Sequence, residues 1–204
     1  GSEMCIRDSS NAEQLAMSED CGLINLSHFH MTDIEGPDHV ALMEWLCAAK
    51  IGGDANIGKG IYTHFLDDEG MVRADFTAFR MADRIRMVNG ADAGPRDYHY
   101  MRRVAQDKGF DVTITDVAEK FVTIGIWGPN ARVNLAKVVE DPDGLSKENF
   151  PFAAIKPVRL AGKDVSAFRI SYVGEPVSYT HLRAHETPEH LVCRLLLEKK
   201  NAFS

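Results

Sequence analysis

Two β-rich runs separated by a short acidic turn constrain this chain most. Ile61 to Leu66 and Met71 to Arg80 flank Asp67-Asp68-Glu69-Gly70. Runs of that kind, joined by a turn ending in Gly, fold back on each other as an antiparallel hairpin. A third run, Ile85 to Val88, follows closely enough to extend the same sheet. Upstream, an extended stretch from Met31 to Glu35 leads into Gly36-Pro37-Asp38, after which Val40, Met43, Leu46 and Cys47 recur at helical spacing until Gly52-Gly53. A second helix is predicted after Gly94-Pro95, with Tyr98, Met101, Val104 and Ala105 on one face and Lys108-Gly109 closing it with a cation and a C-cap. Strands at Val112 to Thr115 and Phe121 to Trp127 follow. Gly128-Pro129 then opens a third helix holding Val133, Ala136 and Val139, and a last strand pair spans Ala154 to Leu160 and Val165 to Tyr172. None of these connections is the long crossover of a doubly wound sheet. The fold class is therefore α+β, with antiparallel sheets and short packed helices.

With 204 residues, 45% hydrophobic and 26% charged, the chain can bury a core without disulfides or metal. A net charge of -7 argues against binding to a phosphate backbone, so no nucleic-acid partner is expected. No apolar run reaches the ~20 residues of a membrane span, and the start Gly1-Ser2-Glu3-Met4 lacks signal-peptide layout. Cys5, Cys21, Cys47 and Cys193 are far apart and form no Cys-x-x-Cys pair, which reads as free thiols in a reducing, cytoplasmic setting.

Both ends break the pattern. Residues 1–10 are unconnected to the body. Residues 177–204 carry His181, His185 and His190 and then an apolar run from Leu191 to Leu197, with no turn chemistry joining them to the preceding sheet. Both segments resemble translated sequencing-adapter read-through. The expected organisation is a non-native leader (1–10), a partial natural domain (11–176) and a non-native tail (177–204) that packs poorly or forms an isolated helix.

Several local motifs have bland explanations. Gly53 to Gly60 imitates a phosphate-binding loop, but a helix precedes it, a strand follows it, and Gly60 stands where a hydroxyl should hold magnesium. His181 and His185 share a helical spacing suited to zinc, without the Glu that should follow the first; no metal site is expected. His28 and His30 read as structural or surface residues. Asp67, Asp68 and Glu69 read as a solvated turn. Asp75 is different: it lies inside a strand between Ala74 and Phe76, where β-propensity disfavours Asp, and an inward carboxylate on a rigid strand is a functional candidate. Asn89, ending the next strand, is either a turn residue or a ligand amide.

Four segments, in order along 21–175, resemble the folate-binding aminomethyltransferase family, which includes the glycine cleavage T-protein and the C-terminal domain of dimethylglycine and sarcosine dehydrogenases. They are Gly22-Leu23-Ile24-Asn25-Leu26-Ser27-His28, with Asn25 for the usual Asp; Gly60 through Asp75, where only the second of an acidic pair remains and Ala74 replaces the first; Ile126-Trp127-Gly128-Pro129-Asn130-Ala131; and Ser171-Tyr172-Val173-Gly174-Glu175. The wording around Ala74 is more similar to the dehydrogenase branch. Such a resemblance implies an aminomethyltransferase folate-binding-like fold, incomplete at its C-terminal side, within a longer parent protein whose FAD domain, if any, lies upstream of this segment.

What the resemblance implies chemically is capture of a one-carbon unit by tetrahydrofolate from a small methylated amine or aminomethyl donor. A carboxylate such as Glu175 would accept from the N–H groups of the pterin edge, Asn89 would answer with its amide, and Tyr62 or Tyr172 would pack on the ring. Asp75 would be catalytic, orienting the cofactor, stabilising developing positive charge and accepting a proton. The departures at Asn25 and Ala74 keep a non-catalytic folate-binding or scaffolding module open, and a methylthio-substrate demethylase fits the residues as well. Tyr62, Asp75, Asn89 and Glu175 are expected to converge on one concave site.

Overall fold

The computed structural model describes residues 3–170 and 192–198. In chain order the elements are α1 (Glu3–Glu19), β1 (Gly22–Asn25), β2 (His30–Glu35), α2 (His39–Leu46), β3 (Lys59–Leu66), β4 (Val72–Arg80), β5 (Arg84–Asn89), α3 (Gly94–Lys108), β6 (Thr113–Asp116), β7 (Phe121–Trp127), α4 (Ala131–Ala136), β8 (Ile155–Leu160), β9 (Lys163–Ile170) and β10 (Val192–Glu198). They build two five-stranded sheets, ordered β3-β4-β5-β2-β6 and β1-β7-β10-β9-β8. Every strand pairing is antiparallel. This is the α+β architecture that the hairpin pattern implies.

The first sheet is a half-sandwich with α2 and α3 on one face. Alternation along β4 sends Ala74, Phe76 and Ala78 to that face, and Ile85 and Met87 do the same from β5. There they meet Leu42, Met43 and Leu46 of α2 and Met101 and Ala105 of α3. Gly109 caps α3 in the left-handed conformation at φ 74°, as its place after Lys108 predicts. On the other face Met31, Phe79 and Val88 pack against Phe168 and Ile170 of the second sheet, with the Phe79 and Phe168 ring centroids 4.3 Å apart. Backbone bonds from Gly60 N to Ala153 O (2.7 Å) and Ile155 N to Gly58 O (2.8 Å) stitch the start of β3 to the start of β8.

Three expectations are corrected. Residues 177–204 were expected to pack poorly or form an isolated helix, yet Val192–Glu198 forms β10, the central strand of the second sheet, hydrogen-bonded to β7 on one side and β9 on the other. A backbone run of seven residues there pairs with the facing edges of both neighbours at once. The boundary expected after residue 10 is likewise not a break, because α1 runs continuously from Glu3 to Glu19 across it. Its end is locked to the turn before α4: Asn130 donates from N and from Nδ2 to Asp20 O and Oδ1, both 2.9 Å. Gly128 must be glycine in that turn, since its φ is 110° and a Cβ would collide with the carbonyl oxygens of Met17 and Asp20. Finally, α4, the helix expected to hold Val133, Ala136 and Val139, ends at Ala136 and buries Ala131 and Leu135, while Val133 is 55% exposed. The helix begins two residues after Pro129, and that start sets which face turns inward.

Candidate functional site

The hairpin β3–β4 presents its functional residues by register. Tyr62 pairs with Thr77 and His64 with Asp75, so all four side chains share the face opposite α2 and α3. Tyr62 is 60% exposed, and its Oη donates to Asp75 Oδ2 over 2.9 Å. The ring of His64 stands edge-on to that of Tyr62, with centroids 5.2 Å apart and planes at 76°. The result is a phenol, an imidazole and a carboxylate on one rigid, solvent-facing hairpin surface. The phenol holds one carboxylate oxygen through a charge-assisted bond.

Asp75 is not the inward carboxylate the sequence suggests. Ala74 and Phe76 on either side of it fill the core under the helices, so strand alternation turns Asp75 out. No buried partner is needed to satisfy it.

Asn89 lies elsewhere. It pairs with His30, is 3% exposed, and donates through Nδ2 to Asp97 Oδ2 over 2.9 Å. Asp97 is fully buried in the first turn of α3, where Arg96 Nε donates to its other oxygen over 3.0 Å. Asn89 therefore points to the helix face and anchors the N-terminus of α3, while Asp75 points to the opposite face. The two do not converge in one concavity, contrary to expectation, because the side chain at each position obeys the alternation of its own strand. The Oδ1 of Asn89 is buried with no hydrogen-bond partner among the described residues. Tyr172 and Glu175 lie outside the described residues, as do His181, His185 and His190.

His64 escaped the sequence reading although a signal was present: it lies two residues from Tyr62, the period that puts strand residues on one face. Cys47 offers no alternative nucleophile. Burial, with Glu44 nearby, pushes its thiol up to about 12, so it stays protonated at neutral pH. His28 precedes β2, and His30 within it is buried, its Nε2 donating to Asp116 Oδ2 over 3.1 Å. Both fit the structural role expected of them. No helix among the described residues is long and apolar enough to cross a membrane.

A two-sheet antiparallel fold whose hairpin displays an aromatic-acid pair defines a class that comparison with known proteins specifies. The chain belongs to the GCVT N-terminal domain family, whose model matches residues 3–189. It is 33% identical over 165 residues to an aminomethyltransferase of Bordetella avium (strain 197N), covering 80% of this chain and 43% of that protein. It is 30% identical over 155 residues to the mitochondrial dimethylglycine dehydrogenase of Rattus norvegicus, covering 76% of this chain and 18% of that one. Among solved structures, the glycine cleavage system aminomethyltransferase T from Bartonella henselae superposes with a TM-score of 0.68 at 21% identity, covering 92% of this chain and 44% of that one. A chain of the heterotetrameric sarcosine oxidase of Corynebacterium sp. U-96 superposes with a TM-score of 0.59 at 14% identity, covering 94% of this chain and 84% of that one. The chain thus spans less than half the length of the curated relatives it matches.

Proposed function

We propose that this chain is the folate-binding part of a tetrahydrofolate-dependent one-carbon transferase, with Asp75 as its catalytic carboxylate. The observation that carries this reading is the Tyr62–Asp75 pair: an exposed carboxylate held by a phenol on a rigid hairpin, in a chain of this family. The fit to a reduced pterin is chemical. Its edge is rich in N–H donors, Asp75 is an acceptor, and the Tyr62 ring, 60% exposed, is of the kind on which a pterin packs.

Tetrahydrofolate, when bound, supplies the nucleophilic nitrogen that takes the one-carbon unit. Tyr62 fixes the orientation of the Asp75 carboxylate. Asp75 then orients the ligand, offsets positive charge that develops beside it, and takes the proton released at the nitrogen. Tyr172 and Glu175 are assigned ring packing and acceptance from the pterin edge. Asn89, buried on the helix face with its amide given to Asp97, is assigned no ligand contact. The donor is a small methylated amine or aminomethyl compound, the parent protein carries a flavin domain in the dehydrogenase version of this reading, and the setting is cytoplasmic. The segment 11–176 bears the site.

A non-catalytic folate-binding module is the second reading. It is favoured by Ala74, which is 6% exposed in the core at the position where the family wording has an acid. Titration of tetrahydrofolate into the 204-residue chain tests the common ground. We expect saturable binding that is weakened by Tyr62→Phe and by Asp75→Asn. Unchanged affinity in both variants would remove the hairpin face from the site.

A further inference from the structure

We propose that the groove between α3 and the edge strand β6 docks an extended acidic peptide segment of a partner protein. The groove encloses about 590 Å³ and lies away from the Tyr62–Asp75 face. One wall is a stripe of α3, His99, Arg102, Arg103 and Gln106, spaced so that all four share the helix face turned from the core. The other wall includes Thr113 and Ile114 of β6. In a chain of net charge -7, no Asp or Glu lines this groove among the described residues.

The cations are available. Arg102 and Arg103 make no ion pair among the described residues. Arg102 lies over the Tyr98 ring at 5.5 Å and Arg103 over the Tyr100 ring at 5.6 Å. Stacking engages the face of a guanidinium and leaves its in-plane N–H donors for carboxylates.

The strand edge selects a peptide over other anions. Among the described residues β6 is the last strand of its sheet, bonded to β2 on one side only. Its outer edge presents backbone groups that an added strand satisfies and that phosphate or a nucleic acid does not. The Tyr98 hydroxyl donates to Ile114 O over a long 3.4 Å, which occupies that carbonyl only weakly. In an added strand alternate side chains face α3, so the ligand is an extended segment with Asp or Glu at every second position. The rest of the chain repels such a segment at long range, but at physiological salt charges act over only about 8 Å, and the local cations dominate.

The test uses fluorescein-labelled octapeptides of alternating Glu and Val, alternating Lys and Val, and the same Glu and Val content in two blocks. Anisotropy is measured against the 204-residue chain and its R102E/R103E variant, with melting temperature as the fold control and R102Q/R103Q as a milder second variant. The alternating acidic peptide should bind in preference to both other peptides. Its affinity should drop about tenfold or more in R102E/R103E, with a smaller drop in R102Q/R103Q. Amide exchange at Thr113–Asp116 should slow on binding. No binding, equal binding of the acidic and basic peptides, unchanged affinity in both variants, equal binding of the blocked peptide, or displacement by millimolar inorganic phosphate without amide protection would each overturn the proposal.

Discussion

At the scale of residues, the structure separates side chains that hold the fold from those left to act. Asn89 and Asp97 belong to the first group. Replacing Asn89 with Ala strips a fully buried Asp97 of one of its donors, and such a loss costs about 1–3 kcal/mol. The expected result is a lowered melting temperature and faster amide exchange in the first turn of α3. Cys47 gives a pH test. Its thiol is raised from an ordinary value of 9.0 to about 12, so the native state keeps a proton that the unfolded chain releases. Stability from this group is fully present below pH 9 and falls as pH climbs toward 12, by up to ~1.4 kcal/mol per pH unit. Denaturant unfolding of wild type and Cys47→Ala between pH 8 and 11 should show a steeper loss in wild type, and native Cys47 should resist alkylation at pH 8. Asp75 belongs to the second group, and its outward direction was open to reading from the apolar residues on either side. What sequence could not supply was which of the two faces the helices cover, because that depends on contacts with α2 and α3.

Elements joined by short turns were legible and those joined by long ones were not. The hairpin, the helix ending at Gly109 and the strand Phe121–Trp127 announce themselves through local chemistry: alternation, an αL glycine, a β-rich run before Gly128. β1 has four residues, and its partner is β7, about a hundred residues away. Nothing in Gly22–Asn25 alone foretells that pairing. β10 is a stronger case, since a run set aside for lacking turn signals proves to pair on both sides. α3 also depends on a close approach the sequence does not show. A Cβ on Gly94 would run into the His30 ring, so Gly94→Ala should lift the helix start and destabilise the fold by about 1–3 kcal/mol, as overpacking does. Circular dichroism melts would register it, and unchanged stability would mean that the helix start can shift freely.

For the molecule as a whole, two side-chain contacts stand out among those that couple the sheets alongside the β3–β8 backbone bonds. One is the Phe79–Phe168 pair. The other is the buried ion pair in which Arg86 donates from Nε and Nη2 to Asp33 at 2.6 and 2.7 Å, while its guanidinium lies 4.3 Å from the Phe121 ring centroid on β7. Asp33→Ala leaves Arg86 buried without its carboxylate and should cost about 3–5 kcal/mol, read as one cooperative transition in both sheets. That coupling keeps the β3–β4 hairpin rigid beneath its exposed face, and a rigid support is what a positioned carboxylate requires.

The central claim is that this face performs folate-coupled transfer through the charge of Asp75. Asn at position 75 keeps the shape and one acceptor oxygen while removing the charge. The decisive measurement is the rate at which the full-length gene product moves a one-carbon unit to tetrahydrofolate, compared between wild type and Asp75→Asn at equal melting temperature. The account predicts a loss of about 10²- to 10³-fold, the usual cost of removing one preorganised electrostatic group, with stability unchanged because the residue is exposed. Transfer at the wild-type rate by a folded Asp75→Asn protein would contradict it.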